Sequence, residues 1–422
     1  LIARRSNQYH PLMLLLILTL GMGIFNISAA RTLNANLEEQ IRYRYGADVV
    51  LQQQWLSDAP TDESGMGPGK MPAPSEIHYL EPPFEIIADL PKAAHAARVF
   101  VADDVLARAH RDYVNVRLMA VDTDDFGYTA WMKPGLLPHD FYDYLNLIAP
   151  EPNAVLVSRT TAEQMGVAPG DTLEIAWEGA QFLAVVYAVV DYFPSFNPNP
   201  SVDASASGRS RSARAPMLVV AHLETVQNAL VLRPYDVWIK LKDGATAQQL
   251  YESLAENRVS LTKFVAVQGE IAASRNDPFR MAINGVMSLG LILSLLISFT
   301  GFLLYWVLSM RARALQFGVI RAMGLSFGGM VGMLGAEQLL TSGAGMLIGL
   351  IAGRAAAALF VPLFQLSFDP VRIVPPFEIR IHAGDTLRMI TVMLAMLGAA
   401  LIALAVLLKR LKVHQAVKLG GD

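Results

Sequence analysis

Pro11–Ala30 contains no charged side chain, and neither does Met281–Met310, whose one ionisable group is Tyr305. Met389–Leu408 is also charge-free, while Met333–Phe360 carries only Glu337 and Arg354. About 20 mostly apolar residues cross the hydrocarbon of a bilayer, so these four runs predict four transmembrane helices. No other feature constrains the chain as strongly, because a backbone in lipid must satisfy its own hydrogen bonds. The composition agrees: of 422 residues, 53% are hydrophobic and 17% charged, against about 25% charged in soluble proteins. A soluble enzyme of two or three domains does not fit a mean hydropathy of +0.36. The first run also has the look of a signal peptide, with Arg4 and Arg5 before it and Ser28–Ala30 as a cleavage-like end. Its length favours an uncleaved anchor.

Lys and Arg in short flanks set sidedness. Arg4, Arg5, Arg311, Arg313, Arg321, Lys409, Arg410, Lys412 and Lys418 stand against the single acid Asp422. Both termini and the 309–328 loop are therefore expected in the cytoplasm. The expected order is a leader (1–10), a first span (11–30), an extracytoplasmic domain with helical stalks (31–280) and a second span (281–310). A cytoplasmic segment (311–328), a third span (329–361), an outer loop (362–388), a fourth span (389–408) and a tail (409–422) complete the chain. The fold class is thus an α-helical membrane protein with a large extracytoplasmic α+β domain between its first two helices. Glu337 and Arg354 are separated by about 25 Å along a helix, so each reaches a headgroup region. Snorkelling anchors explain both; contact of Glu337 with cytoplasmic machinery is the functional alternative.

In the outer block, Leu33, Leu37, Ile41 and Tyr45 recur on one helical face, and Gly46 is expected to end that helix. Strands are predicted at 47–51, 97–102, 114–121, 154–157, 172–176, 182–190, 217–221 and 236–241. Helices are predicted near 139–148, 159–165 and 246–257, with Thr246 as N-cap. Residues 57–76 and 192–215, rich in Pro, Gly and Ser, read as loops. The Arg209, Arg211, Arg214 run is a solvated loop or a contact for anionic lipid.

Chemistry is thin. There are no cysteines, which removes disulfides and thiolate catalysis. No H-E-x-x-H pair or P-loop occurs, and Asp122, Asp124 and Asp125 lack calcium-loop spacing, with Lys133 where the bidentate Glu belongs. They read as a solvated turn, and His139 and Asp140 as a helix start. No catalytic residue, metal ligand or cofactor is expected in this chain, and its net charge of −3 gives no reason to expect nucleic acid. Gly345, Gly349 and Gly353, then Gly290, Ser294 and Ser298, then Ala395, Ala399 and Ala403 form rows of small residues four apart. Such rows let helices in lipid approach closely, so a packed bundle is expected.

One span, a large domain and three spans accompany the run Arg311-Ala-Arg313-Ala-Leu315-Gln316-Phe317-Gly-Val319-Ile320-Arg321-Ala-Met-Gly324-Leu-Ser326. This resembles the cytoplasmic segment of the FtsX-like permease family, the MacB-type ABC transporters. Ala30–Leu37, Tyr45–Asp48, Val167–Asp171, Val190–Pro194 and the tail His414–Gly420 resemble other parts of its long members, and Glu337 falls where the family often has a Glu. Gln316 departs from the pattern, standing where the family has an acid. The resemblance implies a multi-pass protein of the bacterial cell membrane that works with separate ABC ATPase subunits, which would bind ATP and Mg. A short amphipathic helix at 311–323, along the cytoplasmic face between two spans, is expected to dock on that ATPase, with Leu315, Val319 and Ile320 entering a groove while Arg311, Arg313 and Arg321 meet acids or lipid headgroups. A second permease half or protomer is expected, because an ATPase dimer needs two membrane contacts. Leu1 in place of Met favours the C-terminal half of a duplicated permease. Besides membrane lipid, an extracytoplasmic partner is implied: the alternative function is a regulator that transmits ATPase-driven motion to such a partner without transport.

Overall fold

The computed structural model describes residues 10–58, 77–110, 112–199, 215–230, 232–324, 326–363, 374–380 and 382–410. Two compact units divide it. A helical unit holds Leu1–Asn36, Arg275–Phe368 and Phe377–Asp422; a sheet unit holds Leu37–Ser274 and Asp369–Pro376. Helix α1 (His10–Tyr45) is unbroken and contributes to both. It stops at Gly46, whose φ of +75° is left-handed and whose N–H donates to the Arg42 carbonyl at 2.8 Å. A glycine takes that conformation without a Cβ penalty.

In the sheet unit β1 (Val49–Gln53), β2 (Leu56–Ser57) and β3 (Tyr79–Leu80) precede the one-turn helix α2 (Glu85–Ala88). Then come β4 (Ala93–Arg108), β5 (Tyr113–Val121), α3 (Thr123–Thr129), α4 (Phe141–Ile148), β6 (Ala154–Ser158) and α5 (Arg159–Met165). Strands β7 (Thr172–Trp177), β8 (Ala180–Val190) and β9 (Leu218–His222) lead to α6 (Leu223–Leu230), β10 (Asp236–Leu241), α7 (Ala247–Glu256), β11 (Leu261–Ala266) and α8 (Val267–Arg275). The sheet order is β11-β1-β10-β4-β5-β9-β6-β8-β7, and β7 pairs back onto β4 through Leu106↔Ala176 and Arg108↔Glu174. Six strands, β4-β5-β9-β6-β8-β7, therefore close on themselves. The first half of β4 pairs instead with β10, in register Trp238↔Ala97. A register shift between Ala102 and Val105 separates the two halves, and such a bulge bends the strand so that it changes partner within the one sheet.

Alternating burial fills both faces. Val105, Ala107, Leu118, Val157, Ile175 and Val219 share one core; Val99, Met119, Phe126, Leu145, Leu156 and Trp238 share the other. Thr246 caps α7 in a capping box with Gln249, as its sequence indicates. The Asp140 carboxylate accepts from the Tyr142 N–H, opening α4. Asp124 and Asp125 lie in helix α3 rather than in a turn, a correction. Arg209, Arg211, Arg214 and the 59–76 and 200–214 parts of the expected loops lie outside the described residues.

The helical unit adds α9 (Pro278–Ala322), α10 (Phe327–Phe360) and α11 (Ala383–Arg410) to α1. Among the described residues, three stretches are long and apolar enough to cross a membrane: Met13–Tyr45, Pro278–Leu304 and Gly335–Phe360. In α1, 44% of the most apolar stretch is buried inside the protein, against 11% in α9 and 22% in α10. Helix α1 is thus the centre of its bundle. Leu16, Leu20 and Ile24 meet Phe302, Met389, Met393 and Leu397 there.

Two expectations are corrected here. The helical stalk expected just before the second span is two helices, because α8 ends at Arg275 and α9 restarts at Pro278. The residue before a proline avoids helical angles, and Asp277 instead caps α9 by accepting from the Arg280 N–H at 3.1 Å. The 311–323 run is not a separate short helix either: it prolongs α9 as far as Ala322. Ala, Arg, Leu and Gln are strong helix formers, and the left-handed turn comes only at Gly324, with φ +98°. Ser326 then caps α10 by accepting from the Gly329 N–H.

Candidate functional site

The C-terminal end of α1 is built into the sheet unit by buried polar contacts. Tyr43 is 2% exposed. Its hydroxyl donates to the Phe196 carbonyl at 2.7 Å and accepts from the Phe193 N–H at 3.1 Å, and its own carbonyl accepts from the Ser195 N–H. Burial pushes the Tyr43 hydroxyl well above the usual tyrosine range, so it stays neutral and keeps both bonds. One turn earlier Glu39 pairs with Lys133 at 3.0 Å, both side chains being 12% exposed. Arg42 reaches Glu38 at 3.1 Å and Asp48 at 3.5 Å. A Cβ on Gly46 would lie 2.2 Å from the Trp238 ring, so only glycine fits there. Phe126 stacks on Phe193 at 5.6 Å beside it, and Phe141 lies tilted against both at 5.8–6.1 Å.

These contacts predict the effect of one atom. Tyr43→Phe removes the donor to Phe196 and the acceptor for Phe193, leaving two buried backbone groups unpaired. The expected loss is about 1–3 kcal/mol of sheet-unit stability, read by chemical denaturation followed through tryptophan fluorescence. An unchanged midpoint would show that the hydroxyl does not hold the loop.

Inside the bundle the glycine row meets α1. A Cβ on Gly349 would lie 3.1 Å from Leu20 Cβ and 3.2 Å from the Ile17 backbone; on Gly353 it would lie 2.9 Å from Gly21 Cα. Gly345 is looser, at 3.6 Å from Leu16 Cβ. Of the α9 row, Ser298 is fully buried and Gly290 lies near Asn26, whose amide donates to the Met287 carbonyl. Ser294 lines a groove of about 750 Å³ with Gly21, Phe25, Ala352, Ala356 and Phe360. Its lining is apolar but for that hydroxyl, so it suits hydrocarbon rather than a polar ligand. In α11, Ala395 and Ala399 are exposed, and the seam runs through Met389, Met393 and Leu397 instead. That corrects the packing role expected of the alanine row; the Ala403 side chain lies outside those described.

The side chains of Arg311, Arg313, Leu315, Gln316, Phe317, Val319, Ile320 and Arg321 also lie outside those described, though their backbone is helical. Gly324 is exposed at the turn. Glu337 is half-buried in α10, its carbonyl accepting from Thr341 at 2.9 Å. Among the described residues no group of three metal-ligating side chains converges.

The profile of the MacB-like periplasmic core domain matches residues 13–257, and that of the FtsX-like permease C-terminal region matches 288–415. The chain belongs to the MacB-type, FtsX-like permease family. No curated protein matches it by sequence. Among solved structures, the periplasmic region of MacB from Actinobacillus actinomycetemcomitans is similar at 10% identity and TM-score 0.33, covering 56% of this chain and 97% of that one. The extracellular domain of the noncanonic ABC-type transporter YknZ from Gram-positive bacteria is similar at 11% identity and TM-score 0.29, covering 51% of this chain and 100% of that one. A domain of a permease protein from Porphyromonas gingivalis is similar at 12% and 0.30, with coverage of 53% and 88%. Tyr45–Asp48 and Val190–Pro194 flank the Tyr43 contacts, and Val167–Asp171 forms a turn in which Asp171 accepts from the Ala168 N–H at 2.8 Å.

Proposed function

We propose that this membrane protein is the permease subunit, or one half of it, of an ABC transporter whose separate ATPases move the sheet unit for export or extraction of a substrate. Family membership supports the permease-type role. The observation that carries the mechanical reading is α1: one helix whose first part is the centre of the apolar bundle and whose last two turns are buried in the sheet unit. Kinks need a proline, a glycine-serine pair or an inserted group, and the continuity of α1 past Gly21 and Gly23 supports a helix that carries displacement along its length.

In this reading α11 is the fourth span, and both termini lie on the cytoplasmic side of a bacterial cell membrane, which the basic flanks support. The ATPase meets the end of α9, Arg311–Arg321, and ATP and Mg belong to that partner. Because this segment prolongs the span rather than lying across the membrane face, a push on it acts along the helix axis. A second permease half or protomer completes the membrane contacts of an ATPase dimer.

Phe317→Asp tests the docking. Burying a carboxylate in an apolar groove removes an interface anchor worth about 2 kcal/mol, roughly 30-fold in affinity. Co-purified ATPase and its stimulated hydrolysis should fall together. If both are unchanged, the end of α9 is not the docking element.

A further inference from the structure

Just before α11 the chain runs as an extended strap, Phe377–Arg380, beside α1 within the helical unit. Its side chains alternate: Phe377 and Ile379 are half-buried and pack on a cluster of Ala29, Ala357 and Val361, while Glu378 and Arg380 are exposed. Its backbone is held by side chains of α1. The Asn36 amide donates to the Glu378 carbonyl at 2.8 Å and accepts from the Glu378 N–H at 2.8 Å. The Thr32 hydroxyl accepts from the Arg380 N–H at 3.1 Å and donates to the Arg380 carbonyl at 3.4 Å. Four residues along a helix rise about 6.0 Å, and two along a strand about 6.6 Å. The match lets two side chains one turn apart take the place of a neighbouring strand. Both are buried, Thr32 at 0% and Asn36 at 3% exposure, so water does not substitute for them. Beyond the strap, Asp385 in the first turn of α11 forms a two-pronged ion pair with Arg31.

We propose that Arg31, Thr32 and Asn36 form a clasp that ties the start of α11 to α1, so that the two helices move as one transmitting element. The clasp itself is independent of the permease reading; the role of that joint movement in ATP-driven work rests on it. Slipping the strap along α1 leaves buried peptide groups unpaired, so the clasp is shut or broken, with little between.

The test uses the full chain in lipid nanodiscs, alone and with its ATPase. With no native cysteine, Asn34→Cys and Leu387→Cys, both exposed positions, carry spin labels that report the separation of α1 and α11. The clasp predicts a narrow distance distribution that stays narrow through nucleotide binding, and slow amide exchange at Glu378 and Arg380. Thr32→Val with Asn36→Leu should speed that exchange roughly 10- to 100-fold and broaden the distribution. Thr32→Ser should do neither. Asn36→Asp keeps the acceptor but loses the donor, and should fall between; it serves if the double variant fails to insert. Fast exchange at both amides in the unaltered chain, or lost protection with an unchanged distribution, overturns the clasp. Separation of the labels on nucleotide binding overturns the joint movement. Failure of the ATPase to assemble counts against the permease reading only, since exchange and distance are measured without it.

Discussion

Alanine at Gly353 should destabilise the helical bundle, alanine at Gly349 should do so less, and alanine at Gly345 should be neutral or stabilising. The order is set by the atoms that the new methyl meets. At Gly353 it would sit 2.9 Å from Gly21 Cα and 3.0 Å from Gly21 O. Those are backbone atoms, so relief requires α1 and α10 to part along their length. At Gly349 the nearest atoms are 3.1–3.2 Å away, and at Gly345 they are 3.6 Å away, an ordinary contact. Overpacking costs about 1–3 kcal/mol, while replacing glycine by alanine in a helix returns about 0.5–1 kcal/mol. The first term wins at Gly353 and the second at Gly345. Gly353→Leu should abolish the folded bundle, because α1 is its centre. The folded fraction surviving a temperature series in lipid nanodiscs measures the order. Equal losses at all three positions would mean that α1 and α10 do not pack through this row.

The glycine row was readable because glycines four apart in an apolar run let two helix backbones approach closely. What it approaches was not readable, since spacing says nothing about the partner helix. The alanine row of α11 had the same period and points outward, because in lipid an exposed alanine carries no penalty and Met389, Met393 and Leu397 fill the seam better. The strands of the sheet unit were legible wherever alternation was long, as in Tyr113–Val121. The closure of six strands was not: it depends on β4 changing partners at the register shift after Ala102, a long-range choice. Edge strand β11 was missed because it pairs with one neighbour only and carries exposed Thr262 and Lys263. The separate cytoplasmic helix was expected from an amphipathic turn pattern between two spans, yet such a pattern does not mark where a helix begins, and here it prolongs α9. The contacts of Tyr43 and Lys133 were not legible because their partners, Phe193, Phe196 and Glu39, lie 94 to 153 residues away in sequence. Thr32 and Asn36 meet a strap more than 300 residues on.

A flexible insertion in α1 should abolish ATP-driven work while leaving the ATPase bound. The position matters. An insertion after Tyr45 would leave Glu39, Arg42 and Tyr43 seated, so it tests little. The useful site is after Leu37, between Asn36, which holds the strap, and Glu39, which holds Lys133. Seven residues add about two helical turns and nearly preserve the facing of the last turns of the helix. A Gly-Ser heptapeptide there replaces a helical rod with a coil, whose end-to-end distance fluctuates by several ångströms. An Ala-Glu-Lys-rich heptapeptide of equal length stays helical and controls for the added reach. If α1 transmits force, transport or signalling should fall at least about 10-fold with the flexible insert and largely survive with the helical one. Co-purified ATPase should be equal in both, because Arg311–Arg321 is untouched. Activity retained with the Gly-Ser insert would reduce α1 to a tether, and the drive to the sheet unit would have to enter through α8 and α9, across their break at Asn276–Asp277. Equal loss with both inserts would show instead that the length of α1 matters, not its stiffness.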